Sequence, residues 1–138
     1  MNDSIIRFIN NVVESRNSKL LYTVNDLAPS TENALFNSTG LVIWNGASDS
    51  TIFQDPKINY KFRALHDLLH LQTRIGFSPS EEIELGRIQA NQFEGSDLMR
   101  ELVYCEVALQ AEYYQKHGKF VENQIEFTIN YLTSKGII

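Results

Sequence analysis

Two histidines four residues apart, His66 and His70, with Asp67 between them in FRALHDLLHLQTRIGF (62–77), are the side chains in this sequence best suited to chemistry. On a helix, residues i and i+4 share a face, so both imidazoles can reach one cation. Neutral imidazole is a good ligand for zinc, iron, manganese or nickel. The same spacing also occurs on solvent-facing helices, so it permits chelation without requiring it.

Winding residues 57 to 74 at about 100° per residue gathers Asn59, Arg63, His66, Asp67, His70 and Arg74 in one arc, and apolar residues fill most of the rest. An ordinary surface helix has a narrower apolar stripe. This helix is therefore expected to be surrounded by neighbours, its polar arc facing a cleft or an internal polar site. HDLLH differs from the zincin pattern H-E-x-x-H by an aspartate one methylene shorter, which reaches a metal-bound water less readily and disfavours a metalloprotease. A phosphohydrolase of the His-Asp type needs a further histidine upstream, and none precedes His66.

Further ligands have to come from other helices. Between Pro79 and Phe93, Glu82 shares an arc with Ile83, Leu85, Gly86, Gln89, Ala90 and Phe93; on the next helix Glu106 falls among Met99, Leu102, Val103, Leu109, Gln110 and Tyr113. Both carboxylates are expected to point inward. Burying an ionised carboxylate is costly unless it is paired or holds a metal, so a cation shared by His66, His70, Glu82 and Glu106 is one solution. A structural ion-pair network with Arg63 and Arg74 is the other. Gly86 is either a close helix crossing or a tolerated surface glycine. His117 reads as a helix-end residue favoured by the dipole, Cys105 as a small core residue, and Trp44 as core or pocket lining.

The elements that must position these residues are mostly helical. Apolar spacing predicts a helix over 4–16 capped by Asp3 or Ser4, and another from about Lys57 to Arg74 ended by Gly76. A third follows a capping box of Ser78 and Glu81 around Pro79 and runs to about Phe93. A long helix extends from Asp97 to about His117 with Gly118 as its stop, and a last one carries Val121, Ile125, Ile129 and Leu132 on one stripe. Between 18 and 55 the pattern is mixed: STENALF suggests a short capped helix, and a hairpin fits near 41–53. The expected fold is all-α, a single-domain bundle of about five or six helices over residues 1–138.

Composition narrows the function classes. The chain has 138 residues, 43% of them hydrophobic, which suits one core. One cysteine allows no internal disulfide and no multi-cysteine zinc site, and fits a reducing compartment. A formal charge of −5 with 12 scattered basic residues argues against nucleic acid as a partner. No apolar run approaches the ~20 residues of a membrane span, so a soluble, unprocessed protein is expected. The apolar content leaves room for a homo-oligomeric helical interface.

WNGASDSTIFQDPKINYKFRALHDLLH, GFSPSEEIELGRIQANQ and EVALQAEYYQKHGKFVENQIEF together resemble a group of proteins from tailed-bacteriophage genomes. These share an N-x-x-F-R-A-x-H-D core, an acidic position downstream and a Y-Y-x-x-x-G-x-F-x-x-x-Q segment. The resemblance spans about residues 41 to 127. Asn59, Phe62, Arg63, Ala64, His66 and Asp67 match the core, and His70 matches a second histidine of variable spacing. Glu82 or Glu81 fits the acidic position, and Glu106, Tyr113, Tyr114, Gly118, Phe120 and Gln124 fit the last segment. The resemblance implies a viral protein acting in the host cytoplasm or carried in the virion, with other virion proteins or a host protein as partners.

Two functions are carried forward from the sequence. One is a phage accessory protein with a zinc, iron or manganese centre held by His66, His70, Glu82 and Glu106, in which Asp67 supports a ligand or acts as base and Arg63 binds an anionic group, for metal-assisted hydrolysis. The other is a non-catalytic virion or host-interaction protein whose polar cluster fixes helix register.

Overall fold

The computed structural model describes residues 2–17, 19–27, 35–37 and 40–138. Among these the chain is mostly helical: α1 (Asp3–Asn17), α2 (Pro56–Thr73), α3 (Pro79–Asn91), α4 (Asp97–Tyr104) passing through a π-helical turn (Cys105–Leu109) into α5 (Gln110–His117), and α6 (Gln124–Ser134). Taking α4 to α5 as one interrupted helix, five helices are present, as the apolar periodicity predicts. A small sheet of β1 (Tyr22–Asn25), β2 (Phe36–Asn37) and β3 (Gly40–Trp44) accompanies them. The backbone divides into two compact units, Met1–Arg74 and Ile75–Ile138.

In the first unit α1 packs on α2, and α2 on β3. The cap of α1 is Asn2, whose Oδ1 accepts from the Ile5 N–H, in place of Asp3 or Ser4. α2 begins at Asp55, an extended N-cap whose carboxylate accepts from the Lys57 N–H ahead of Pro56 in the first turn. That combination satisfies one orphan donor and removes another. α2 ends one turn after His70, where Arg74 adopts the left-handed conformation (φ 59°) and its N–H returns to the His70 carbonyl. Gly76 was the expected stop, and the correction has a clear cause: Arg74 closes the helix, while Gly76 serves the cap that follows.

β3 lies in the middle of the sheet, parallel to β1 and antiparallel to β2. Leu41 and Ile43 are buried and their neighbours half-buried, the two-residue alternation of a strand with one face on the core. The small β element is therefore present, but its partners precede Gly40 and residues 45–53 form loop. The short helix expected over 30–36 falls largely outside the described residues; Phe36, at its end, is in β2.

In the second unit Ser78 Oγ accepts from the Glu81 N–H, and the Glu81 carboxylate binds the Ser78 hydroxyl and the Gly76 N–H. A Cβ on Gly76 would sit 2.6 Å from a Glu81 oxygen, so a larger residue there would make the Glu81 side chain shift. These contacts, the Ser78 hydroxyl first, hold the Glu81 carboxyl below its ordinary value. α3 crosses the π turn at Gly86, where a Cβ would meet the Ala108 nitrogen at 2.7 Å and the Ala108 Cβ at 2.9 Å. Gly86 is thus a close crossing, not a surface glycine. Leu85, Met99, Leu102, Val103 and Leu132 are fully buried around it. Gly118 (φ 70°) ends α5 with its N–H on the Tyr114 carbonyl, as expected, and Asn123 caps α6 through the Glu126 N–H.

Candidate functional site

The polar arc of α2 is internal. Asn59, Asp67 and His70 are buried, and Arg63 and His66 are half-buried. Its first two turns hold a loop in place. Arg63 Nη1 donates to the carbonyls of Trp44 (2.7 Å) and Gly46 (2.6 Å), and the guanidinium lies over the indole ring at 5.1 Å. Asn59 Nδ2 donates to Ser48 Oγ, which donates to the Gly46 carbonyl. The Trp44 ring covers Gly46 so closely that a Cβ there would lie 2.0 Å from it. Burial lowers the Arg63 guanidinium from its ordinary value, and the charge of Asp67 opposes that shift. Arg63, expected to bind an anionic group, thus has strong contacts of its own within the fold.

The next turns carry His66, Asp67 and His70. The two Nε2 atoms are 3.1 Å apart and the rings meet edge to face, 84° between planes and 4.7 Å between centroids. One ligand atom from each of the three residues falls within 4.8 Å of the others, making this the one group among the described residues with the composition and spacing to hold a metal ion. Bonds of about 2.1 Å from both Nε2 atoms would subtend about 95° at a cation, which suits an octahedral site and is compressed for a tetrahedral one. Two ligands of one such cation can be at most about 4.2 Å apart, the trans limit. The histidine pair lies within that limit. Asp67 fits either after a small approach or as acceptor from a water bound to the cation.

Glu82 and Glu106 are not members of that group. Glu82 stands half-buried in the first turn of α3, on the arc of buried Gly86 and Gln89. Glu106 sits in the π turn, where Thr128 Oγ1 donates to one carboxylate oxygen at 2.6 Å and Gln110 Nε2 to the other at 3.1 Å. Burial pushes its carboxyl up to about 7 despite both bonds. Its inward aspect was legible from the helical arc. Its partner Thr128 was not, because a threonine amid Ile125, Ile129 and Leu132 reads as one more stripe residue, yet Thr128 is fully buried. A π turn likewise leaves no simple mark on apolar periodicity.

Cys105 is buried, its thiol near the Thr128 hydroxyl at 3.7 Å and raised to about 12, first by burial. That is a core residue and no nucleophile. His117 is exposed in the last turn of α5 and its ring packs, tilted, against that of Tyr113 at 4.2 Å between centroids. Trp44 Nε1 donates to the Asp26 carbonyl.

Fold and site together define a mostly α-helical protein with a largely buried histidine–aspartate–histidine group on one helix, α2. Compared with protein-family models, with curated proteins and with solved structures, the chain matches none. Among the described residues no helix is long and apolar enough to cross a membrane.

Proposed function

We propose that α2 carries a divalent-metal centre in which His66 and His70 are the protein ligands and Asp67 positions or deprotonates a water on the cation. The observation that carries this reading is the 3.1 Å separation of two imidazole nitrogens one helical turn apart in a largely buried setting. When bound, such an ion supplies a nucleophilic water near neutral pH without any other nucleophile, so hydrolysis is the reaction class that asks least of the chain. Arg63 lies close enough to Asp67 for the two charges to act on one another. The resemblance to tailed-phage proteins supports a role in the infected cell or the particle.

A second reading is favoured by one observation: Asp67 already faces the charge of Arg63. In it the cluster is a structural polar network, and the His66–His70 contact is a plain hydrogen bond between a protonated and an unprotonated nitrogen.

Elemental analysis of protein purified without an affinity tag separates the two. A metal centre gives near-stoichiometric zinc, iron or manganese, and a Co2+-loaded sample shows visible absorption bands that are lost in His66→Ala. His66 is half-buried, and circular dichroism verifies that the variant folds. Metal-free native protein that takes up no Co2+ at neutral pH, or a His66→Ala variant that retains its metal, refutes the assignment. Binding should weaken on acidification, since protonated imidazole is no ligand.

A further inference from the structure

The second unit contains a cleft of about 220 Å3 whose walls come from three helices: Arg87 and Asn91 of α3, Arg100, Glu101 and Tyr104 of α4, and Tyr131 of α6 with Lys135 at its C-cap. Its chemistry is one-sided. Three cations converge there in a chain whose formal charge is −5. Among the described residues no carboxylate ion-pairs with Arg87 or Lys135. Arg100 donates to Asp97 in an exposed i,i+3 pair, 2.8 Å long with the acid 72% exposed, an arrangement worth little and readily exchanged for a better acceptor. The single acid of the lining, Glu101, accepts from the Tyr131 hydroxyl instead of from a cation. The Tyr104 hydroxyl binds no described residue, and the Lys135 ammonium lies 5.8 Å over the Tyr131 ring.

The cleft thus presents two guanidiniums, an ammonium, a phenol hydroxyl and the Asn91 amide, mostly donors, with one oxygen of its single carboxylate taken by the Tyr131 hydroxyl. A ligand that complements it carries several acceptor oxygens and negative charge, and guanidinium forks match a phosphoryl group. The volume lies below the 300–1,000 Å3 usual for larger organic ligands, so the match is to a small molecule. We propose that this cleft is a binding site for a small phosphorylated ligand, its phosphoryl group held by Arg87, Arg100 and Lys135 against the Tyr104 and Tyr131 wall. The site belongs to the second unit and the proposed metal centre to the first, and the proposal does not depend on that centre.

Isothermal titration of the metal-free full chain with inorganic phosphate, adenosine monophosphate and adenosine, at constant ionic strength, tests the assignment. The expected result is saturable binding of phosphate or of the nucleotide, near millimolar or tighter, and none of adenosine. Equal affinity for phosphate and nucleotide identifies the phosphoryl group as the whole determinant, and tighter nucleotide binding adds the tyrosine wall. Arg87→Gln and Lys135→Gln remove side chains with no ion pair among the described residues, so both variants should fold normally. Each should weaken binding roughly tenfold, the scale of one charge-assisted hydrogen bond. Absence of saturable binding by both phosphate and nucleotide overturns the proposal, as does binding that survives the double variant unchanged.

Discussion

Replacing Glu106 by glutamine should stabilise the second unit above neutral pH and leave it nearly unchanged in mild acid. The Glu106 carboxyl is raised from its ordinary 4.5 to about 7 by burial, against the pull of the Thr128 and Gln110 hydrogen bonds. A carboxyl raised on folding means that the native state holds a proton the unfolded chain has released, so stability falls as pH climbs from about 4.5 through 7. At about 1.4 kcal/mol per pH unit the loss amounts to about 3 kcal/mol. Glutamine at 106 is neutral throughout; its oxygen can accept from Thr128, and the Gln110 amide can turn to offer its own oxygen. Urea denaturation at pH 4.5, 6 and 8, followed by far-ultraviolet circular dichroism because Trp44 belongs to the first unit, measures both proteins. The difference between variant and native stability should grow by about 3 kcal/mol across that range. A difference that stays constant, or a Glu106 carboxyl carbon that titrates near 4.5 by NMR, would show the carboxyl to be well solvated and refute the reasoning.

Other consequences are simpler. Arg63→Met should cost about 2–4 kcal/mol, because two charge-assisted bonds to carbonyls are lost and the Trp44–Ser48 loop loses its anchor; chemical denaturation read by Trp44 fluorescence measures it, and an unchanged midpoint would contradict the contact. Gly86→Ala should destabilise by about 1–3 kcal/mol, since overpacking against the Ala108 backbone outweighs the ~1 kcal/mol gain in helix propensity; a rise in melting temperature would show that the crossing can relax. Cys105 should react with a thiol reagent at pH 8 only as fast as the protein opens, and a burst of labelling in native buffer would place it at the surface.

The helices and the inward polar arc were legible in the sequence because both rest on periodicity, which burial enforces directly. The wide apolar girth around Asn59, Asp67 and His70 was enough to say that these residues are enclosed, and they are. What could not be read is which enclosed groups meet. Glu82 and Glu106 have the inward placement of ligands, but helical spacing says nothing about distance between helices, and the partners of Glu106 come from its own helix and from α6. The role of Arg63 was hidden for a related reason: its acceptors are main-chain carbonyls at Trp44 and Gly46, and carbonyls leave no trace in residue type. Arg74 could close α2 only by taking a conformation usually left to glycine, which is why Gly76 looked like the stop.

That division of labour along α2 also constrains the chemistry under the metal reading. Asn59 and Arg63 fasten the loop, and the charges of Arg63 and Asp67 offset one another, while two neutral imidazoles add none. A divalent ion bound there would therefore keep close to its full charge. Protein carboxylates usually reduce that charge in metal sites, and among the described residues this group contains one, Asp67. The open coordination positions would then favour anionic oxygen donors over neutral ones, and the same uncompensated charge would acidify a bound water. If the centre holds such an ion, the substrate class that would suit it is an anionic ester or anhydride, whose own oxygens would supply the negative charge that the chain withholds.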